Sequence, residues 1–442
     1  MKRYEQYKDS GVAWIGEIPA HWKVCKTKYV ANLYTGNSLN DSQKEEYTIP
    51  SSDMTLPYVA TKDIAAEKDA INYSNGINIP KTSLLKVAPA NTFLLCVEGG
   101  SAGRKIAYNT TPAYFVNKLC CFESKINPRY HYYFVKSHGF ANIFKQSIQG
   151  LIGGVSVSTL NNLEIAIPSL EEQNAIVRYL DYKVAKIDQL IAESEVQIEE
   201  LGKYKTAMIS EVVTKGLNPD APMRDSGIEW IGQIPEHWAV KKLKQKSIFI
   251  NGFAFDSADF TTAEGVRVIR IGDIGFKVDF EGCTRATTAS STLAPYRVKN
   301  GDILIAMSGA TTGKCCIVDE AKEAYINQRV GIIRSNIYKV IYYYLQTPYF
   351  MEFVNLNNSG TAQPNISSKA IGEFPILDTS LAEQNAIVDY LDKKCADIDS
   401  AIKLLNDYVE QLKVYKTALI SEAVTGQIDV RDWQEKSSSN SN

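Results

Sequence analysis

Two stretches of this chain repeat apolar positions every 3.5 residues and hold that register for five heptads. Between 171 and 213 there is no proline and a single glycine, Gly202. One core position is taken by Val177, Val184, Ile191, Ile198, Lys205 and Val212, and the other by Leu180, Ile187, Ser194, Leu201 and Met208. Adding 211 to each number gives Val388, Cys395, Ile402, Val409, Lys416 and Ala423, with Leu391, Ile398, Leu405, Leu412 and Leu419. The pattern predicts two coiled-coil helices of roughly 36 residues, about 54 Å each. Each apolar seam needs a partner, and the other copy is the obvious one. Related by a two-fold axis across their length, the two helices must run antiparallel, with Lys205 and Lys416 at opposite ends of the pair.

Outside these helices the apolar runs are short. TFLLCVEGG (92–100) and GDILIAMSGA (301–310) end in glycines, as a buried strand does on entering a turn. IAYN, YFVNKLCCFES, CIVD and AYINQRVGIIRS have the same β-branched and aromatic character. Segments 129–147 and 339–356 read as aromatic-rich helices. The predicted fold class is α+β: two mixed, strand-rich domains in tandem, joined by the two long helices, with internal pseudo-two-fold symmetry.

The duplication extends beyond the helices. SGVAWIGEIPAHW (10–22) returns as SGIEWIGQIPEHW (226–238), and LEEQNAIVRYLD (170–181) returns as LAEQNAIVDYLD (381–392). YVATKDI (58–64) matches VIRIGDI (268–274), and Gly103 and Asn117 match Gly313 and Asn327 at an offset of 210. The ends of the unit are nearly constant, whereas its middles keep only a skeleton. A constant frame around diverged interiors suits two copies that do one task on two different targets. With the axis in place, the start of the chain takes the position of linker 217–238, and the termini lie side by side. An internal two-fold axis also suits a roughly two-fold target such as duplex DNA.

Charge and composition narrow the reading further. An apolar fraction of 45% over 442 residues is globular and points to more than one domain. No run of eighteen apolar residues occurs, so neither a membrane span nor a signal core is expected. The eight cysteines never form C-x-x-C, which is the usage of a reduced cytosol and argues against zinc. The net charge of −2 is unevenly spread. Residues 21–168 carry 15 Lys/Arg against 10 Asp/Glu and residues 236–378 carry 16 against 14, while 169–216 and 379–426 are acidic. This small basic excess supports a phosphate-binding surface only weakly, and an ordinary solvated surface explains it equally well.

Catalytic signatures are missing. SGATTGKCC (308–316) has three residues between Gly309 and Gly313 where a phosphate loop needs four, and cysteine follows Lys314. It reads as a turn after a buried strand, like its counterpart EGGSAGRKIAY (98–108). His21 and His237 stand beside tryptophan as packing anchors, and His131 and His138 have no counterpart in the second copy. Asp63 and Asp273 recur without a second carboxylate, so each is expected to brace a loop. On this chemistry the chain is a binder. Two rivals are a helical scaffold that joins two proteins and a hydrolase built on the glycine-rich turn.

The constant blocks, SG-x-x-WIG-x-IP-x-HW, YV-x-x-KDI or IRIGDI, GDILIAMSGATTGK and L-x-EQNAIV-x-YLD, resemble the specificity subunit of Type I restriction–modification enzymes from about residue 7 to 426. The first copy departs from the pattern, because VEGGSAGRK replaces the SGATTGK-like turn. The resemblance implies a non-catalytic, prokaryotic cytosolic subunit with target-recognition domains at 1–168 and 226–378. The conserved helices would span 169–214 and 379–426, with a linker at 215–225 and a partly disordered tail at 427–442. It implies no cofactor on this chain. Two modification subunits would bring S-adenosylmethionine and methylate adenine; full complexes add two restriction subunits that use ATP and Mg. The coiled coil would act as a ruler of about one DNA turn (~34 Å) between two different half-sites.

Under that reading the first diverged stretches, 36–62 (ending in Lys62) and 251–270, read bases. Arg104, Lys105, Lys118, Arg285, Lys314 and Arg329 are candidates for phosphate contacts. Asn117, Asn327, Gln328 and Arg270 have side chains able to make paired contacts to a base edge.

Overall fold

The computed structural model describes residues 2–65, 69–150, 153–261, 265–275, 277–286, 291–358 and 364–435. The chain divides into two units: residues 1–194 with 407–442, and residues 195–406. Each of the long helices is therefore shared out between them.

The first unit holds β1 (Lys23–Lys26), β2 (Ala31–Thr35), β3 (Thr55–Val59), β4 (Asn78–Pro80), β5 (Val87–Ala88), β6 (Thr92–Cys96), β7 (Ile106–Asn109), β8 (Ala113–Phe115) and β9 (Leu119–Ser124). Helices α1 (Pro128–Val135) and α2 (His138–Gln146) follow, then β10 (Glu164–Ile167) and the first long helix, α3 (Leu170–Lys215). One sheet is antiparallel in the order β7-β6-β9-β2. A second runs β4-β3-β8-β5, with β3 and β8 parallel. Strand β6 is apolar along both faces because both are covered, and its residues are buried throughout. One face packs on the α1 side, through Phe93 and Leu95, and the other on Leu94 and Cys96.

The second unit repeats the plan with β11 (Ala239–Lys242), β12 (Ile248–Asn251), β13 (Phe260–Thr261), β14 (Val266–Ile269), β15 (Thr284–Ala286), β16 (Ile303–Ala306), β17 (Cys315–Ile317), β18 (Ala324–Ile326) and β19 (Val330–Arg334). Helices α4 (Tyr338–Leu345) and α5 (Pro348–Leu356), strand β20 (Pro375–Asp378) and the long helix α6 (Leu381–Val424) complete it. Its main sheet has the order β12-β19-β16-β17, matching β2-β9-β6-β7. The other is β13-β15-β14-β18, again with one parallel pair, β14 with β18. The sheets meet where backbones touch: a Cβ on Gly36 would lie 1.8 Å from the Phe115 carbonyl oxygen, and one on Gly252 would lie 2.0 Å from that of Asn327. Only glycine fits there.

Helices α3 and α6 run for 46 and 44 residues, longer than the heptads alone predict. Serine begins both: the amides of Glu172 and Glu383 donate to Ser169 Oγ and Ser380 Oγ, each at 3.2 Å. At the far end, Gly216 and Gly426 adopt positive φ, the usual stop for a helix. Heptad residues Leu180, Val184, Ile187, Met208, Val388, Leu391, Ile398, Val409, Leu412 and Leu419 are buried, and Val177, Ile191, Ile198, Leu201, Ile402 and Leu405 are half-buried. In the second unit Lys205 Nζ reaches Asp399 Oδ1 at 2.6 Å; in the first, Lys416 Nζ reaches Asp188 Oδ1 at 2.7 Å. Within each unit the helix segments are antiparallel, and each core lysine is neutralised by its own aspartate.

Joints repeated in both units fasten the strand-rich parts to these helices. His21 Nε2 stands 2.9 Å from Glu172 Oε2 and Trp22 Nε1 donates to Glu172 Oε1 (3.2 Å), while His237 Nε2 stands 3.0 Å from Glu383 Oε2. The histidines are thus anchors, fixed to the carboxylate of the EQN motif. Next along each helix, Asp181 accepts from Tyr133 Oη at 2.6 Å and Arg129 at 2.5 Å, and Asp392 accepts from Tyr343 Oη and Lys339 Nζ, both at 2.6 Å. The third joint uses a tyrosine hydroxyl against two carbonyl oxygens. Tyr130 approaches Ala166 (2.8 Å) and Val424 (3.2 Å); Tyr344 approaches Leu377 (3.3 Å) and Val213 (2.7 Å).

The described part of the tail, residues 427–435, packs against the first unit. Ile428 and Val430 are buried, and Trp433 packs on Tyr179 and Tyr182 with ring centroids 5.3 and 5.2 Å apart. These apolar side chains break up an otherwise polar segment. Asp429 N donates to the Lys2 carbonyl at 2.9 Å, so the two ends of the described chain meet in the first unit. Residues 436–442 lie outside the described residues.

Candidate nucleic-acid interface

The basic candidates gather around one strand end in each unit. Beyond β6, Cys96 N donates to the Lys105 carbonyl (2.8 Å) and Val97 N to the Lys118 carbonyl (2.9 Å). Beyond β16, Ala306 N donates to the Lys314 carbonyl (2.8 Å) and Met307 N to the Arg329 carbonyl (2.9 Å). Each strand thus ends between two basic residues, one on either side. Lys118, Lys314 and Arg329 are exposed and Lys105 is half-buried. Burial pushes the Cys96 thiol up, while the nearby ammonium groups of Lys105 and Lys118 pull it down.

Lys105 Nζ also donates to the Thr61 carbonyl at 2.8 Å, which brings exposed Lys62 into the same group. Arg104 is exposed, but its guanidinium turns back to the Gly100 carbonyl and braces the glycine turn. Asp63 and Asp273 brace loops as expected, accepting from the amides of Ala60 and Arg270 at 2.8 Å. Arg270 itself is exposed at the exit of β14. Arg285 lies in β15 opposite Arg267; its side chain is outside the described residues.

The hydrogen-bond ladder corrects one pairing made by residue identity. Val116 N donates to the Val59 carbonyl, and its equivalent is Asn327 N donating to the Ile269 carbonyl. Asn117 therefore corresponds to Gln328 and Lys118 to Arg329, at an offset of 211. Asn327 is held at the sheet junction, where Val330 N donates to its carbonyl at 2.8 Å. What recurs is an amide followed by a cation. Asn117 is half-buried and accepts from Ser38 Oγ at 2.7 Å, whereas Gln328 is exposed.

Two residues near Asn117 escaped the sequence reading. Glu98, the first residue past Val97, bridges to Gly154, and Gln149 sits on the loop opposite. With Asn117 they line a groove of about 570 Å³. Position 98 carried a signal, because its counterpart is Ser308, but Gln149 carried none. Among the described residues no cluster of three or more His, Cys, Asp or Glu could hold a metal, and no helix is long and apolar enough to cross a membrane.

Comparison with known proteins places these observations in context. The sequence model of the Type I restriction modification DNA specificity domain matches residues 19–200 and again 235–410. The MjaVIII Type I restriction enzyme specificity subunit of Methanocaldococcus jannaschii is 30% identical over 288 residues, covering 63% of this chain and 65% of that protein. The putative MjaX specificity subunit of the same organism is 24% identical over 432 residues, covering 94% and 96%. A chain from a solved structure on complex assembly and conformational transition of the type I R-M system superposes with a TM-score of 0.71. It shares 17% identity and covers 93% of this chain and 99% of its own, a likeness of fold.

Proposed function

Because this chain belongs to the Type I restriction modification DNA specificity family, which accounts for most of its length in two copies, we propose that it is the non-catalytic, sequence-reading subunit of a Type I restriction–modification complex in the prokaryotic cytosol. Each unit reads one half of a split duplex target, and the helices shared between the units set the unspecified spacer. The observation that carries this reading is the recurrence of an amide and a cation, Asn117–Lys118 and Gln328–Arg329, beside the same strand end in two units whose loops differ. Amides suit base edges, and cations suit phosphates. Lys62, Lys105 and Lys314 join the phosphate contacts, and Arg270 reads or positions at the edge of the second unit.

The partners that follow are two modification subunits carrying S-adenosylmethionine and, in the full assembly, two restriction subunits driven by ATP and Mg. The duplicated joints at Glu172/Glu383 and Asp181/Asp392 support two equivalent partners, since they hold the same frame twice. Sequencing adenine methylation in cells that carry this chain and its modification subunits tests the reading. The expected result is one motif of two different half-sites with a fixed gap. Methyl transfer by the purified chain alone, or a continuous motif, would overturn it.

A further inference from the structure

The first unit contains a groove that the basic surface does not explain. Its polar wall consists of Thr35, Glu98, Asn117, Gln149 and Ser156, and no Lys or Arg lines it among the described residues. Three segments build it. Val97 N binds the Lys118 carbonyl on one side, and Val155 N binds the Val97 carbonyl on the other, both at 2.9 Å. Gly154 lets the loop lie flat, because a Cβ there would come 3.1 Å from the Val97 carbonyl oxygen and 3.5 Å from Glu98 Cγ.

Resting on the proposed function, we infer that this groove reads a base bearing an exocyclic amino group, cytosine or adenine, in the half-site of the first unit, with Glu98 as the specificity-determining residue. A carboxylate repels phosphate, so a groove that presents one beside a duplex is built for a base edge. Carboxylates accept from amino groups such as cytosine N4, and amides pair with adenine. Among the described residues the Glu98 side chain has no hydrogen-bond or ion-pair partner, although it is half-buried. The Asn117 amide is held from the side by Ser38 Oγ at 2.7 Å, which leaves its NH₂ available. Cations stand just outside: Lys118 follows Asn117, and Lys105 flanks the same strand end. The second unit keeps the architecture but not the acid, since Ser308 bridges to Asn365 where Glu98 bridges to Gly154. The requirement for an amino-bearing base therefore belongs to one half-site only.

The test uses the whole chain assembled with its modification subunits. Adenine methylation is sequenced for the wild type and for Glu98→Gln and Gln149→Ala, and retention of target duplexes substituted at single positions is measured. Glu98→Gln is expected to relax one position of one half-site, lowering discrimination there by roughly 5- to 150-fold, the worth of one good base contact. The other half-site and the spacer stay unchanged, which also reports that the variant chain is folded. Gln149→Ala, on the exposed loop, relaxes the same position or its neighbour. A split wild-type motif with both variants reading an unchanged half-site overturns this inference and leaves the proposed function standing. A wild type that yields no split motif overturns both.

Discussion

Lowering the pH should weaken the first unit more than the second, through one histidine. His131 lies on α1, 1% exposed, set edge-on against the stacked rings of Phe93 and Phe122 at centroid distances of 5.3 and 5.5 Å. Its Nδ1 stands 2.8 Å from Ser124 Oγ. Burial pushes its pKa down from 6.5 to about 3, so the folded ring stays neutral where the unfolded one gains a proton. The folded value is the lower one. Stability is therefore complete above the unfolded pKa and falls as pH drops from about 6.5 towards 3.

One proton is worth about 1.4 kcal/mol per pH unit, so moving from about pH 7.5 to about pH 5 costs roughly 2 kcal/mol. The matching helix position in the second unit is Ile341, fully buried and uncharged. The perturbation is therefore His131→Ile. Losing the Ser124 hydrogen bond lowers stability by about 1 kcal/mol at every pH, whereas the slope disappears. Native-state hydrogen exchange of β6 and β9 amides, corrected for intrinsic exchange and referenced to β16 and β19, reads the two units separately. If the variant loses as much protection in the first unit on acidification as the wild type does, the histidine is not the cause and the reasoning fails.

Three other predictions concern the joints, the helices and the charges. Asp181→Ala strands Tyr133 and Arg129, and should lower stability by about 1–3 kcal/mol and weaken reading of one half-site; Asp392→Ala should do the same for the other. Thermal unfolding together with retention of half-site-substituted duplexes checks both, and equal effects on both half-sites would contradict the assignment. Deleting one heptad from each long helix removes about 10 Å and should shorten the spacer by about three base pairs. Methylation sequencing checks this; a change in the half-sites themselves would mean that the recognition parts are wrongly placed. Lys118→Ala and Arg329→Ala should each reduce the slope of log affinity against log salt by about 0.9 and leave the motif intact. Binding across a salt series decides it, and an altered motif would make these residues base readers.

How much was legible depended on how far apart the cooperating residues lie. The helices could be read because a heptad seam is a local pattern, and Leu180, Ile187, Leu391 and Ile398 announce it within a few turns. Strand β6 was legible as TFLLC, but the order β7-β6-β9-β2 was not, because it depends on partners spread over some ninety residues. Matching by identity set Asn117 against Asn327; the ladder shows Asn117 against Gln328, a slip of one that only backbone geometry detects. The aspartate of YLD could be seen to recur but not to act, since its tyrosine and cation lie about fifty residues upstream. Glu98 stood out against its counterpart Ser308, but its role did not, because it becomes a groove wall only once Gly154 is laid beside it.

The tyrosine joints show what the duplication preserves. Tyr130 and Tyr344 are not equivalent by position: Phe134 sits where Tyr344 does, and Val340 sits where Tyr130 does. The carbonyls they reach are equivalent, Ala166 with Leu377 and Val424 with Val213, each pair 211 apart. The hydroxyl has moved one helical turn while its acceptors stayed. The joint is therefore kept in both units while the position of the side chain that makes it differs. The same rule holds at the strand ends, where Asn117–Lys118 and Gln328–Arg329 keep an amide and a cation in different residues. At Glu98 against Ser308 the backbone bridge recurs, but no side-chain joint does, and the units part company in charge. A change of target should therefore need few substitutions, confined to such places, and should leave the motifs that recur along the chain untouched.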